Sequence, residues 1–331
     1  MRLLARFNLY SVALSLAFVM SACAAPPPLG LSGTSEPLPG TSQVSLIVSP
    51  GTRVTVTSTR TQAPTSAAST TSTTTTQQAS ILVVQDGAML DRDIIPQLMQ
   101  LYNLDEVEVK QALAGAPAGK LISTLAEGFR RMEGIIPVGE DRLEFPTNLA
   151  QQVAAWVKAA DERYDALLAK VPQDQRNSFS PAEQLILASI IEAECLADAG
   201  ETQVAAVLLN RLRDKTKLQT CVTAEYAIGY QRAFLLYDDM EVEDPYNTYH
   251  VKGLPPGPIA SVDDKSFTAA LRISADEELY FYLYDYVVNK LFFYSDYDVF
   301  RADANGAQGR YEEEFGESPY SKVNKQERFG S

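Results

Sequence analysis

The composition breaks near residue 80, and this break confines folding to the residues after it. Ten of the twelve residues from Thr65 to Thr76 are Ser or Thr, and Pro26-Pro27-Pro28 opens a longer Pro/Gly/Ser/Thr stretch. Such a segment buries too little apolar surface to offset its ordering entropy. Residues 24–80 are therefore expected to form a disordered tether, and the globular part to begin at about Ile81. Charge divides at the same place. Residues 1–80 carry four arginines and Glu36, a net +3, so the rest of the chain carries −17 within a total of −14. A folded part this acidic excludes nucleic acid as a partner, because phosphates need Lys and Arg to neutralise them. One histidine (His250) and three cysteines also leave too few soft ligands for a zinc site.

Ahead of the tether, Arg2 and Arg6 precede an uncharged run from Leu9 to Met20. That run is too short for a bilayer-spanning helix and suits the apolar region of a signal peptide. Met20-Ser21-Ala22-Cys23 resembles a bacterial lipobox, which makes residues 1–23 a signal and Cys23 the lipidated residue. Cleavage as an ordinary signal peptide is the alternative. Either way the chain is expected outside the cytoplasm, and with the lipid it is held on the cell membrane.

From 81 to 178 the pattern indicates a small α/β module. Ile81–Val84 reads as a strand closed by Asp86-Gly87. Leu149, Val153, Trp156, Val157, Ala160, Tyr164, Leu167 and Leu168 share one helical face. Glu133-Gly134-Ile135-Ile136-Pro137 falls in a loop between helical patterns.

The chemistry is expected in residues 179–304. Ser180-Pro181-Ala182-Glu183 is a capping box with proline at the first helical position. The helix it starts is apolar through Leu185, Ile186, Leu187, Ile190 and Ile191 and is expected to run to near Gly200. Glu192 and Glu194 project about 200° apart. Glu194 lies on the Leu187/Ile190/Ile191 stripe, where lost hydration raises a carboxyl pKa toward the range a general acid needs. Downstream stand Asn210-Arg211-Leu212, Leu218-Gln219-Thr220, Tyr226, Tyr246-Asn247-Thr248-Tyr249 and Gly253-Leu254-Pro255-Pro256-Gly257-Pro258-Ile259. Amides, hydroxyls and tyrosine rings are the groups that hold sugars. Leu279–Tyr294 reads as a β-hairpin, and residues 305–331 as a mobile tail.

These blocks, with Ala188-Ser189-Ile190-Ile191-Glu192-Ala193-Glu194, resemble the endolytic murein transglycosylases of the YceG-like family. The resemblance is dense over 180–282 and thinner over 81–177, where Glu133-Gly134 is similar to a family landmark. It implies an α+β fold: a LysM-like module, then a mixed catalytic domain. It implies cleavage between N-acetylmuramic acid and N-acetylglucosamine in peptidoglycan, leaving 1,6-anhydro ends. By position, the second glutamate of the pair, Glu194, is the acid and then the base. Asn210, Gln219, Tyr226, Tyr246, Asn247, Thr248, Tyr249, Gly253, Leu254, Pro255 and Pro256 are the substrate-binding candidates. No metal or organic cofactor is implied, and peptidoglycan synthases are implied as partners.

The chain departs from the family in several places. Leu291-Phe292-Phe293 stands where a His-x-Phe is usual, Cys221-Val222 where Asp-Pro is usual, and a lipid site where a transmembrane anchor is usual. With Cys23 lipidated, Cys195 and Cys221 remain, both beside the expected groove. A disulfide between them would contribute roughly 3–4 kcal/mol, and two buried thiols are the alternative. Two other functions fit the same blocks: a cell-wall-binding lipoprotein without turnover, and a water-using muramidase drawing its second carboxylate from Asp238–Asp244. A serine hydrolase does not fit, for there is one imidazole and no nucleophile elbow.

Overall fold

The computed structural model describes residues 80–143, 147–195, 200–232, 234–316, 318, 320 and 323–324. The signal segment, Cys23 and the tether lie outside the described residues. The N-terminal module opens with β1 (Ser80–Val84), a π-helical turn at Leu90–Ile94, α1 (Ile95–Tyr102) and α2 (Glu106–Ala114). It closes with β2 (Gly139–Leu143), antiparallel to β1 with Ser80 opposite Leu143 and Val84 opposite Gly139. A two-stranded ribbon is marginal by itself. Here Leu82 and Val84 are buried with Ile94, Leu98, Val109 and Leu113 of the helices.

The 22-residue α3 (Leu149–Lys170) comes next, with Asn148 and Gln151 forming a reciprocal capping box. Its expected stripe is its buried face, from Leu149 through Trp156 to Leu167. Then α4 (Pro181–Glu194) begins at the Ser180/Glu183 capping box. Ten of its fourteen residues are buried, which makes it the axis of the molecule. α4 ends at Glu194, not near Gly200, and this matters because its last carboxyl then stands at a helix end. Around it pack α5 (Glu201–Arg213), α6 (Cys221–Ile228) and α8 (Asp264–Ala270), with the short α7 (Tyr237–Met240) beyond α6.

The expected hairpin is β4 (Phe281–Asp285) paired antiparallel with β5 (Lys290–Tyr294). The two-residue strands β3 (Gln231–Arg232) and β6 (Val323–Asn324) also pair.

Residues 305–315 are not a tail. They continue α9 (Tyr297–Phe315), a 19-residue helix capped by Asp296 and ended by Gly316 in the left-handed region. Gly306 and Gly309 lower its intrinsic propensity, but packing overrides them. Phe300, Ala304 and Ala307 are buried against Phe281 and Leu283 of β4. Arg310 also donates to the buried Asp285 carboxylate.

One hydrophobic core runs from Leu82 to Leu291 and includes α3, α4 and α5. Residues 81–178 and 179–304 thus share their interior. Among the described residues no helix is long and apolar enough to cross a membrane.

Candidate active site

Glu194 is the last residue of α4, directly after the buried Leu187, Ile190, Ile191 and Ala193. The side chain is half-buried, and its Oε1 is enclosed without a hydrogen-bond partner. Burial pushes its pKa up to about 7, against the opposite pull of the Tyr282 hydroxyl, the Val222 backbone N–H and the Arg211 guanidinium. These three come from β4, α6 and α5, so three elements after α4 converge on one carboxyl. A carboxyl with its pKa raised toward neutrality can either give or take a proton there.

Arg211 is the charge behind it. The side chain is 1% exposed. Nε donates to Tyr280 O at 2.8 Å, Nη1 donates to Leu218 O at 2.5 Å, and Nη2 has no hydrogen-bond partner. A guanidinium stays protonated even when burial lowers its pKa. Its buried charge therefore favours the anionic form of Glu194.

Glu192 has a pKa also pushed up to about 7, chiefly by burial. Its Oε2, however, accepts from Asp263 N at 3.0 Å, at the cap of α8. The two glutamates are told apart by hydrogen bonding: Glu192 is spent on α8, and an oxygen of Glu194 is left over.

The substrate-binding candidates divide into two groups. Asn210 is 1% exposed and gives both N–H groups to Asp276 O and Leu279 O, which fixes the entry to β4. Asn247 is fully buried, donates to Met240 O and Val242 O, and accepts from Tyr249 N. Thr248 is buried in a hydroxyl cluster with Thr220 and Thr223. Gln219 is buried with φ at 51°, and its N–H donates to Thr248 O at 3.2 Å. Tyr226 donates to Glu133 Oε2 at 3.1 Å, and its ring packs at a 46° tilt against the half-buried Tyr246, 4.8 Å between centroids. The Asn210 N–H groups, the Asn247 amide and the Thr248 hydroxyl are engaged within the protein, while Asn210 Oδ1 is buried without a hydrogen-bond partner. These engaged groups brace the segments around the site. Pro255 and Tyr249 are buried, and Tyr249 has its hydroxyl 3.4 Å from Cys221 Sγ. Gly253 and Leu254 are half-buried and Pro256 is exposed, so this loop keeps accessible surface.

The Cys195–Cys221 disulfide is not formed, since Cys195 carries a free thiol. The two side chains pack into different apolar clusters, Cys195 against the main core and Cys221 beside Ala224, Leu235, Met240 and Tyr249. His250 is exposed. Leu291 and Phe293, in the place of the family's His-x-Phe, pack over Gly200, where an added β-carbon would come within 2.8 Å of Leu291 and 3.2 Å of Phe293. In the Asp238–Asp244 run, Asp239 caps α7 and accepts from Tyr230, and Asp244 accepts from Tyr246 N. Two of those carboxylates are thus bound into local structure.

Three residues outside the expected set stand out: Arg211 and Tyr282 act on Glu194, and Glu133 holds Tyr226. Arg211 lies inside the Asn-Arg-Leu block, where a charge among buried helix positions is the available signal. Tyr282 reads only as one aromatic of a strand. Glu133, 1% exposed with its pKa pushed by burial up to about 8, lies 93 residues before its partner Tyr226.

Comparison with known proteins places the chain among relatives. A sequence profile described as the YceG-like family matches residues 43–305. An endolytic murein transglycosylase of Bacillus subtilis (strain 168) is 36% identical over 135 residues, 41% of this chain and 37% of that protein. One from Streptococcus pneumoniae (serotype 2, strain D39) is 26% identical over 186 residues, 54% of this chain and 33% of that protein. The matches thus span about a third of these relatives' length. A crystal structure of a yceG-like protein, lmo1499, from Listeria monocytogenes aligns with a TM-score of 0.54 at 27% identity, covering 66% of this chain and 73% of that one. The profile accounts for most of the chain and contains the Glu194 cluster, so the chain belongs to the YceG-like family.

Proposed function

We propose that this protein is a lytic transglycosylase that cleaves the N-acetylmuramic acid–N-acetylglucosamine bond of peptidoglycan glycan strands. The observation that carries the reading is Glu194: a half-buried carboxyl with a pKa near 7, an unpartnered oxygen, and a fixed guanidinium behind it. Protonated Glu194 donates to the glycosidic oxygen as the C1–O bond breaks. The resulting carboxylate, its charge offset by Arg211, accepts the proton of the muramyl 6-hydroxyl as that oxygen bonds to C1. One carboxyl serves both steps, and a 1,6-anhydro end results. The two-carboxylate alternative needs a second group across the sugar, and the engagement of Asp239 by Leu236 N and of Asp244 by Tyr246 N counts against those two supplying it.

Digestion of purified peptidoglycan, with products resolved by mass, tests the reading. Anhydro ends from the unmutated chain and their loss in Glu194→Gln are expected. Reducing ends would point to hydrolysis, and intact strands to binding without turnover. The proposal extends to placement: export and lipidation at Cys23 would hold the site at the outer face of the cell membrane. Release of Cys23→Ala from the membrane fraction checks this.

A further inference from the structure

The Glu133-Gly134 landmark has no part in the chemistry above, yet it holds one of the most deeply buried carboxyls among the described residues. Glu133 Oε1 accepts the Leu90 N–H at 2.7 Å, and Oε2 accepts the Tyr226 hydroxyl at 3.1 Å. Leu90 begins the helical part of the N-terminal module, and Tyr226 lies on α6, the helix whose Val222 N–H faces Glu194. The Tyr226 ring packs at a tilt against Tyr246, whose hydroxyl approaches Gly257 so closely that a β-carbon there would lie 2.8 Å from it. Gly134, at φ +71°, packs in turn on Pro258 and on Ala260 O. Ser261 N donates to Ala88 O at 2.7 Å, and Gly87 N to Ser261 O at 3.2 Å. The N-terminal module therefore meets the Gly253–Ile259 loop at Pro258 and the residues just after it at Ala260 and Ser261, and Glu133 hydrogen-bonds the module at Leu90 and the wall at Tyr226.

We propose that Glu133 is a positioning residue for the glycan groove: through Leu90 and Tyr226 it fixes the Tyr246/Gly257 wall, and so governs how tightly a strand is held, not how fast the bond breaks. The inference rests on the glycan-cleaving reading above.

The full chain carrying Glu133→Gln, Tyr226→Phe or both tests it. Gln keeps a carbonyl for Leu90 N–H but sets an amide donor against the Tyr226 hydroxyl. Phe removes a single oxygen. Uncrosslinked glycan strands are the probe. Their binding is measured by calorimetry in a Glu194→Gln background, and KM and kcat are measured in the active background. Each single change is expected to raise Kd and KM about fivefold to tenfold with kcat within about twofold. The double variant is expected to match the worse single one, as for residues acting through one contact. Unchanged Kd and KM in folded variants, or a fall in kcat at unchanged KM, would overturn the positioning role. So would a Tyr226→Phe chain that does not fold, since the contact would then be a core support. If the chain with Glu133 and Tyr226 intact binds no strand in the Glu194→Gln background and cleaves none in the active one, the glycan reading itself fails. Binding that the variants leave untouched removes only the inference.

Discussion

The Glu194 carboxyl carries a cost in stability as well as a role in chemistry. Its folded pKa of about 7 lies above the ordinary 4.5, so the folded state binds a proton that the unfolded state has lost. By linkage, this contribution is fully present below the unfolded pKa and is lost as pH rises through about 7. Glu194→Gln carries no such dependence. The variant is expected to melt above the parent, with an advantage that grows from pH 4.5 to pH 7 toward about 1–3 kcal/mol. Thermal melts at several pH values check this, and a constant difference would contradict it. Activity should move with the same group: initial rates of strand cleavage should fall as pH rises above about 7, because the first step consumes the protonated form.

Elements here are held by ends and backs more than by propensity. The Ser180 capping box satisfies donors at the start of α4, and Ser180→Ala should cost about 1 kcal/mol by chemical denaturation. α9 shows the opposite case, a helix with two internal glycines held by what it covers. Arg310 is half exposed, but Asp285 is 1% exposed. Arg310→Ala would leave that carboxylate without its cation, at a cost of about 1–3 kcal/mol. A stability change near zero would show that the backbone donors at Val287 and Val288 suffice for Asp285.

For the whole molecule, the shared core predicts one transition. Trp156, the only tryptophan, sits in α3, while Leu187 sits in α4. Leu187→Ala should lower stability by about 2–5 kcal/mol. Because the core is continuous, the tryptophan fluorescence midpoint should shift together with the far-ultraviolet circular dichroism midpoint. If fluorescence kept its original midpoint, the module around α3 would be folding independently of α4.

Local order was written into neighbouring residues. The Ser180 box, the α3 stripe, the β4–β5 hairpin and the place of Glu194 on an apolar face each depend on residues within a few positions of one another, and the chain shows them without a fold. The roles of Asn210, Asn247 and Tyr226 were not legible in this way. An amide or a phenol serves equally to hold a sugar or to bind a distant carbonyl, and only the packing that brings Leu279, Val242 or Glu133 opposite it decides which. Arg211 and Glu133 followed the same rule. A buried ionisable group takes its meaning from the groups around it, and most of those groups lie tens of residues away along the chain.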